Sequence, residues 1–132
     1  MSNIYKGTEL GDKIDAGLKE VQEYLTNRPM LIYVSGPFTL GDQWANVRTA
    51  CLAGNEILKL GHCPFVPHCT AIWHVITPKT FDRWLEIDSV ILARCDAVLR
   101  LPGESKGADR EVALALEKHI EVYTSLGEIP KR

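Results

Sequence analysis

The sequence of 132 residues lacks the glycine-rich loops with which the commonest nucleotide-binding folds hold phosphates. It contains no GxGxxG, and GESKG at 103–107 does not have the GxxxxGK[ST] order of a triphosphate-binding loop. A nucleoside triphosphatase and a dinucleotide enzyme are therefore poorly supported, and we expect no cofactor. The sequence also lacks an apolar signal core at its start and any apolar run near the about 20 residues of a membrane span. We therefore expect a cytoplasmic protein without a membrane partner.

Charge of one sign is not concentrated in any segment. Acidic and basic residues are mixed along the chain, and the formal net charge is −2. Binding to duplex nucleic acid requires clustered cations that neutralise phosphates, so this partner is disfavoured and a small-molecule ligand remains open. With 45% hydrophobic residues, a chain of this length is expected to form one domain around one core.

The four cysteines form no CxxC pair and no disulfide framework, which is typical of reduced thiols in a cytosolic protein. Residues 62–74 nevertheless contain three histidines and two cysteines, so a His/Cys metal-binding protein is one alternative. Cys63 and Cys69 are separated by five residues, more than in the usual zinc pairs, and prolines interrupt the stretch. We therefore expect no metal site.

Helical and strand-like patterns alternate along the chain. A continuous apolar run at 30–36, MLIYVSG, is typical of a strand buried on both faces. The other predicted strands are 63–66, 97–101 and 120–123, and the predicted helices are 9–26, a stretch from Trp44 to Gly61, 79–94 and 108–118. Short connections between alternating elements imply right-handed crossovers and a parallel sheet. We predict an α/β fold, flavodoxin-like or Rossmann-like, with about four to five parallel strands and helices on both faces.

Three segments are expected within this one fold. Residues 1–28 form an N-terminal helical extension, and residues 29–126 form the α/β domain. Residues 127–132 form a C-terminal tail, which we expect to be a loose end. Helix 79–94 is expected to begin at Pro78, because proline is favoured in the first helical turn.

The loops after the predicted strands are the expected ligand site, since ligands in open parallel sheets bind beyond the carboxyl ends of the strands. Ordinary turn chemistry explains each glycine and proline there when it is taken singly. Ser105 and Gly107 also offer a hydroxyl and free amides to a bound group. The loop residues in question are Ser35, Gly36, Pro37, Phe38, Pro67, His68 and residues 102–107.

Asp88 is the least expected residue of the sequence. Trp84 lies four residues before it and Ile91 three residues after it, so its carboxyl group belongs to an apolar helical stripe. A buried carboxylate requires partners, a raised pKa or a pocket. The competing interpretation is a hydrogen bond from Asp88 to a neighbouring loop.

Glu111 is less diagnostic, because it lies at the border of its helix's apolar face, with Asp109 at the other border. Its simplest explanation is favourable interaction with the N-terminal helix dipole. The same dipole is expected to keep Glu111 ionised at neutral pH, as a carboxylate nucleophile requires. Tyr33, in the first strand, is not diagnostic alone, since a buried core tyrosine is common.

Taken together, four stretches resemble the nucleoside 2-deoxyribosyltransferase superfamily, whose small members include the deoxynucleotide N-hydrolases. They are YVSGPF at 33–38, WLEID at 84–88, CDAV at 95–98 and SKGADREVALA at 105–115. The resemblance spans roughly residues 30 to 124, and the most specific element is GA-x-x-E-x-x-x-A. The resemblance implies cleavage or transfer at an N-glycosidic bond.

The resemblance also implies roles for individual residues. Glu111 would be the nucleophile that attacks C1′ of a deoxyribosyl group. Asp88 would position the substrate or transfer a proton, and Tyr33 would orient the nucleophile or contact the sugar. The remaining predicted ligand contacts are Ser35, Gly36, Pro37, Phe38, His68, Ser105, Lys106, Gly107 and Asp109. The phosphate-binding arginine of some nucleotide hydrolases is missing after the first-strand glycine, so Ser105 and Lys106 are the candidates to bind a 5′-phosphate.

Two functions compete with this one. The same fold can be a catalytically silent nucleotide-binding module, because fold alone does not determine activity. The other is the His/Cys metal-binding protein described above. The resemblance further implies a homo-oligomer, a dimer or tetramer in which a neighbouring chain completes the pocket.

Overall fold

The chain folds into a parallel β-sheet surrounded by α-helices. The computed structural model describes residues 3–26 and 28–132, within which there are four strands and five α-helices. The strands are β1 Leu31–Ser35, β2 Cys63–Phe65, β3 Ala97–Arg100 and β4 Glu121–Tyr123. The helices are α1 Glu9–Leu25, α2 Gln43–Lys59, α3 Ala71–Ile76, α4 Phe81–Leu92 and α5 Lys106–Glu117, with 3₁₀ turns at Pro67–Thr70 and Leu126–Glu128. The predicted α/β class is confirmed.

The strand order is β2-β1-β3-β4, and every neighbouring pair is parallel. The chain moves outward from β1 to β2 and then returns across β1 to β3. Connections therefore leave in opposite directions from β1 and β3, whose carboxyl ends lie side by side. Such a reversal of strand order opens a crevice at the carboxyl edge of the sheet, which is where ligands bind in this class of fold.

Strand alternation sorts the core into two layers. Ile32 and Val34 face α2, whereas Tyr33 faces the opposite side with Val98. The first layer contains Ile32, Val34, Ala50, Ala53, Ile57, Ala97, Leu99 and Ile129, and the second contains Tyr33, Leu92, Cys95, Val98 and Ala115. Because Ser35 is two residues from Tyr33, its side chain also lies on the α4 and α5 side of the sheet.

Capping side chains place two helix starts away from the predicted positions. Helix α4 begins at Phe81 rather than Pro78, because the Thr80 side chain accepts a hydrogen bond from the Arg83 amide. Helix α5 begins at Lys106 rather than Ala108, because Ser105 Oγ accepts from the Ala108 amide at 3.1 Å. Helix α3 was not predicted, since its six residues are too few to show a helical period.

The expectation that the C-terminal tail is a loose end is wrong. Ile129 is only 4% exposed and belongs to the α2 layer of the core. The Arg132 amide donates to the Leu60 carbonyl at 2.8 Å, and His62 Nε2 donates to the Pro130 carbonyl at 2.6 Å. The buried Ile129 side chain and these two hydrogen bonds together hold the segment against the rest of the fold.

Helix α1 forms as predicted and lies outside both core layers. The Thr8 side chain caps it by accepting from the Gly11 amide, but its apolar residues Leu18, Val21 and Leu25 are exposed. Among the described residues, no helix combines the length and the apolar composition needed to cross a membrane.

Candidate functional site

A cleft of about 850 Å³ lies at the carboxyl edge of the sheet, where the strand order reverses. The loops after β1, β2 and β3 form its walls together with α3, α4 and the start of α5. Its size matches that of small-molecule sites in proteins. The side chains named below that line it are Phe38, His68, His74, Lys79, Phe81, Trp84, Asp88, Ser105, Lys106, Arg110 and Glu111.

The floor of the cleft joins β1 to α5 through a hydrogen bond. Ser35, which is fully buried, donates from Oγ to Glu111 Oε1 at 3.1 Å. The Tyr33 hydroxyl lies near enough to the same carboxyl group to influence its pKa, yet it makes no well-formed hydrogen bond among the described residues. Both side chains reach Glu111 because alternate residues of β1 point toward α5.

Four buried side-chain polar atoms have no hydrogen-bond partner within residues 3–26 and 28–132. They are Tyr33 OH, His68 Nδ1, Asp88 Oδ1 and Glu111 Oε2. Three of these residues line the cleft, and Tyr33 lies beneath it. Unsatisfied buried polar groups cost stability, and their concentration at one place is typical of a functional site.

The expectation that the helix dipole keeps Glu111 ionised is wrong. Its pKa is raised to about 7. Burial is the largest cause and the charge of Asp88 adds to the rise, whereas Tyr33, Ser35 and Arg100 oppose it. Because α5 begins at Lys106, Glu111 lies in the second helical turn, beyond the reach of most of the dipole's effect. Near neutral pH its carboxyl group is therefore partly protonated.

Asp88 belongs to the same site. It projects from α4 into the cleft, and burial raises its pKa to about 6. The competing interpretation, a hydrogen bond to a loop, is not observed among the described residues, where Oδ1 has no partner. Asp88 and Glu111 therefore form a pair of electrostatically linked carboxyl groups that titrate close to neutral pH.

Arg100 is an electrostatic component of the site that the sequence analysis missed. It lies at the end of β3 on the same face as Val98, and its charge lowers the pKa of Glu111. Asp109, a predicted ligand contact, instead pairs with Arg100 at 3.0 Å; its side chain is 71% exposed and does not line the cleft. The signal for Arg100 was a single cation in an otherwise apolar strand.

His68 is held by the loop after β1. Its Nε2 donates to the Pro37 carbonyl at 2.9 Å, and Phe38 packs edge-on against its ring at a centroid distance of 6.1 Å. Burial lowers the pKa of His68. Pro37, another predicted contact, therefore serves the site through its backbone and is not part of the cleft lining.

The structure thus brings most of the predicted residues together. The predicted residues that line the cleft are Gly36, Phe38, His68, Asp88, Ser105, Lys106, Gly107 and Glu111. Tyr33 and Ser35 lie under its floor, and Pro37 and Asp109 lie outside its lining. Five residues of the lining were missed. His74 lies in α3, within the segment that was predicted to be a loop. Lys79, Phe81 and Trp84 lie just before α4 or in it, and Arg110 lies on the exposed side of α5.

The histidines and cysteines of residues 62–74 do not converge. His62 accepts from the Met30 amide and donates to the Pro130 carbonyl, which uses both of its ring nitrogens. Within the part of the chain that the structure describes, no three His, Cys, Asp or Glu side chains are grouped as metal ligands. The metal-binding alternative therefore has no candidate ligand cluster among the described residues.

Glu111 is expected to destabilise the folded protein as the pH rises. Its folded pKa of about 7 exceeds the ordinary value of 4.5, so its contribution to stability is fully present below about pH 4.5 and is lost as the pH rises through about 7. Replacing Glu111 with Gln removes this loss. Urea denaturation measures the unfolding free energy of the variant minus that of wild type at each pH. We expect this difference to be about 1–3 kcal/mol larger at pH 8 than at pH 4.5.

Glu117→Gln, at the exposed end of the same helix, is the matched control. It is expected to change stability equally at the two pH values. A pH-independent effect of Glu111→Gln would show that burial does not perturb this carboxyl group.

The fold and site define an α/β protein with a two-carboxyl cleft at its topological switch point. Residues 30–124 match a family model described as a domain of unknown function, DUF4406, and the protein belongs to this family. A search of curated proteins gave no match. The match runs from the residue before β1 to the residue after β4, so it includes every element of the cleft and leaves α1 outside.

Proposed function

We propose that the protein cleaves or transfers the N-glycosidic bond of a deoxynucleoside or deoxynucleoside monophosphate, with Glu111 as the nucleophile. The observation that carries the proposal is the pair of half-buried carboxyl groups, Glu111 and Asp88, each with one buried oxygen that has no partner among the described residues, in one cleft of about 850 Å³. The resemblance of the β1 loop and the α5 segment to nucleoside 2-deoxyribosyltransferases supports the same chemistry.

The first step forms a glycosyl ester. A Glu111 carboxylate oxygen attacks C1′ while the bond from C1′ to the base nitrogen breaks, and its electron pair leaves with the base. Ser35, which donates to Oε1, and Tyr33, beside the same carboxyl group, hold the nucleophile in position. Water, or a second base, then attacks C1′ and releases Glu111 as a carboxylate.

Asp88 supplies the proton that the leaving base requires. In the reactive form the carboxylate is on Glu111 and the proton is on Asp88. Because the pKa of Glu111 is the higher of the two, this form is the less populated of the two singly protonated states. The pKa values of about 7 and about 6 belong to a coupled pair, which shares one proton in this range. The proposal therefore implies a bell-shaped pH profile for kcat/KM with its maximum between about 6 and 7.

Aromatic side chains suit the binding of a planar base. Phe38, Phe81 and Trp84 line the cleft, and aromatic faces stack on heterocyclic rings. Arg110 lies over the Phe81 ring at 5.3 Å, and this pair flanks the start of α5. A base between these rings would place the sugar toward the carboxyl pair.

A 5′-phosphate is expected to bind at the N-terminus of α5. Lys106 lines the cleft there, next to the backbone amides of the first helical turn. Lys106→Ala is expected to weaken inhibition by inorganic phosphate about tenfold, since a charge-assisted contact is lost. Inhibition constants for phosphate against deoxynucleoside cleavage measure this directly.

Lys118→Ala, at the opposite end of α5, is the control and is expected to leave phosphate inhibition unchanged. Equal inhibition constants for the Lys106 variant and wild type would remove Lys106 from the phosphate site.

The test of the proposed function is incubation of the protein with each 2′-deoxynucleoside and each 5′-monophosphate, followed by chromatography for free base. Release of base supports the proposal, and addition of a second base separates transfer from hydrolysis. Binding without base release would favour the silent nucleotide-binding module.

The homo-oligomer implied by the resemblance stays a prediction. Ile72, Val75 and Ile76 of α3 are exposed beside the cleft, and they offer an apolar surface to a second copy. Light scattering measures the oligomeric state.

A further inference from the structure

His74 lies in the cleft with one ring nitrogen already occupied. Its Nδ1 accepts from the Trp84 indole Nε1 at 2.8 Å and from the Lys79 backbone amide at 3.2 Å. Both partners are N–H groups that can only donate, so Nδ1 carries no proton. The ring proton of His74 is therefore on Nε2.

Nε2 is the atom that His74 offers to a ligand. Within residues 3–26 and 28–132 the structure records no hydrogen bond to Nε2, and it is not among the buried unpaired atoms. An unrestrained histidine can exchange its tautomer to donate or accept, but two N–H donors at Nδ1 remove that choice. His74 is thus a donor only.

The position of His74 in the fold points to the base rather than the phosphate. The 67–76 segment follows β2, which lies on one side of β1, whereas α5 and its Lys106 follow β3 on the other side. A nucleotide whose C1′ lies at Glu111 and whose phosphate lies at Lys106 extends its base toward His74. Phe38 and Trp84 also line the cleft, and the Trp84 ring lies 5.8 Å from the His74 ring between their centroids.

We propose that His74 selects keto bases over amino bases by donating from Nε2 to the carbonyl oxygen at C6 of a purine or C4 of a pyrimidine, the position at which an amino base carries its amino group. Trp84 and Lys79 are positioning residues that hold His74 in its donor tautomer. An exocyclic amino group would bring an N–H against the Nε2–H, leaving both donors unpaired. This inference rests on the proposed function for the identity of the ligand, and it names hypoxanthine-like and uracil-like bases as the preferred class.

The test compares keto and amino partners of the same ring system. Dissociation constants are measured by calorimetry on the Glu111→Gln protein, which is expected to bind without cleaving, for 2′-deoxyinosine with 2′-deoxyadenosine and for 2′-deoxyuridine with 2′-deoxycytidine. With His74 intact, this protein is expected to bind the keto member of each pair about tenfold or more tightly. Equal binding within both pairs, or preference for the amino members, would overturn the proposal.

Two variants of His74 separate recognition from structure. In His74→Asn the amide oxygen occupies the place of Nδ1 and can accept from Trp84, but the Nε2 donor is gone. In His74→Gln the amide nitrogen occupies the place of Nε2 and the inner acceptor is gone. The Asn variant is expected to bring the keto-to-amino ratio close to one. The Gln amide is no longer held by Trp84 and can rotate to donate or to accept, so its ratio is expected to fall to about threefold or less.

Trp84→Phe provides a further arm, because it keeps an aromatic ring and removes the donor that gives the shorter bond to Nδ1. It is expected to lower the keto-to-amino ratio severalfold. ¹⁵N NMR of labelled histidine reads the tautomer directly, and the expected signature is a protonated Nε2 with a bare Nδ1. A proton on Nδ1, or an Asn variant with an unchanged ratio, contradicts the proposal.

These outcomes are distinct from failure of the proposed function. The ratio is read from binding, whereas the proposed function is read from base release. Keto preference without base release would leave the recognition intact and remove the catalysis. Base release without keto preference would leave the catalysis intact and remove the recognition by His74.

Discussion

Glu111→Gln is expected to lower base release by at least about 10³-fold while the deoxynucleoside still binds. The amide has nearly the same shape as the carboxyl group and can still accept from Ser35, but it cannot form the glycosyl ester. The variant loses a bond that forms only in the transition state. We therefore expect kcat to fall while the dissociation constant changes by less than about tenfold. Single-turnover chromatography of free base measures the rate constant of base release, steady-state chromatography measures kcat, and calorimetry measures the dissociation constant.

Glu117→Gln again serves as the control, since it makes the same chemical change on the exposed part of α5. Its base release is expected to equal that of wild type. A Glu111→Gln protein that retains more than about a tenth of wild-type base release would show that this carboxylate is not the nucleophile.

Asp88→Asn is expected to lower kcat by about 10²–10³-fold, because the proton for the leaving base is lost. It also changes the pH profile. Asn is neutral, as the protonated Asp88 of the reactive form is, so the acidic limb that reports ionisation of Glu111 is expected to stay near its wild-type position. Since the group that must be protonated is gone, the alkaline limb disappears. The pH dependence of kcat/KM from pH 5 to about pH 9 records the loss of that one limb.

Asp82→Asn, in the exposed first turn of α4, is the control and is expected to keep the wild-type profile. An Asp88→Asn variant that retains both limbs would assign the proton transfer to another group. Substrates whose leaving group needs no proton, such as nitrophenyl deoxyribosides, are expected to lose much less activity in Asp88→Asn than in Glu111→Gln.

The fold was predictable because its signals are local. The apolar run at 30–36 predicted β1, and alternation along it places Tyr33 and Ser35 on one face. The spacing of Asp88 from Trp84 and Ile91 predicted a carboxyl group in an apolar stripe, and the structure places it in the cleft with a raised pKa. Each of these inferences depends only on the periods of strands and helices.

The features that were missed depend on distant contacts. Ionisation of Glu111 was inferred from its distance to a helix start, and that start moved because Ser105 caps the helix. The pKa then followed from burial under β1 and β3, which no helical period records. His74 appeared to be a loop residue, and only the fold brings the Trp84 indole to its Nδ1. Ile129 likewise packs on residues far away in the sequence.

The central claim is that Glu111 forms a covalent bond to the sugar, and trapping tests it most directly. A 2′-deoxy-2′-fluoroarabinosyl nucleoside slows both steps by destabilising the oxocarbenium-like transition state, and a good leaving base lets the ester accumulate. After rapid quenching and proteolysis, mass spectrometry is expected to find one fluoropentosyl group on the peptide that contains Glu111, with fragmentation assigning it to that residue. Release of base with no adduct, or an adduct on Asp88, would contradict the account.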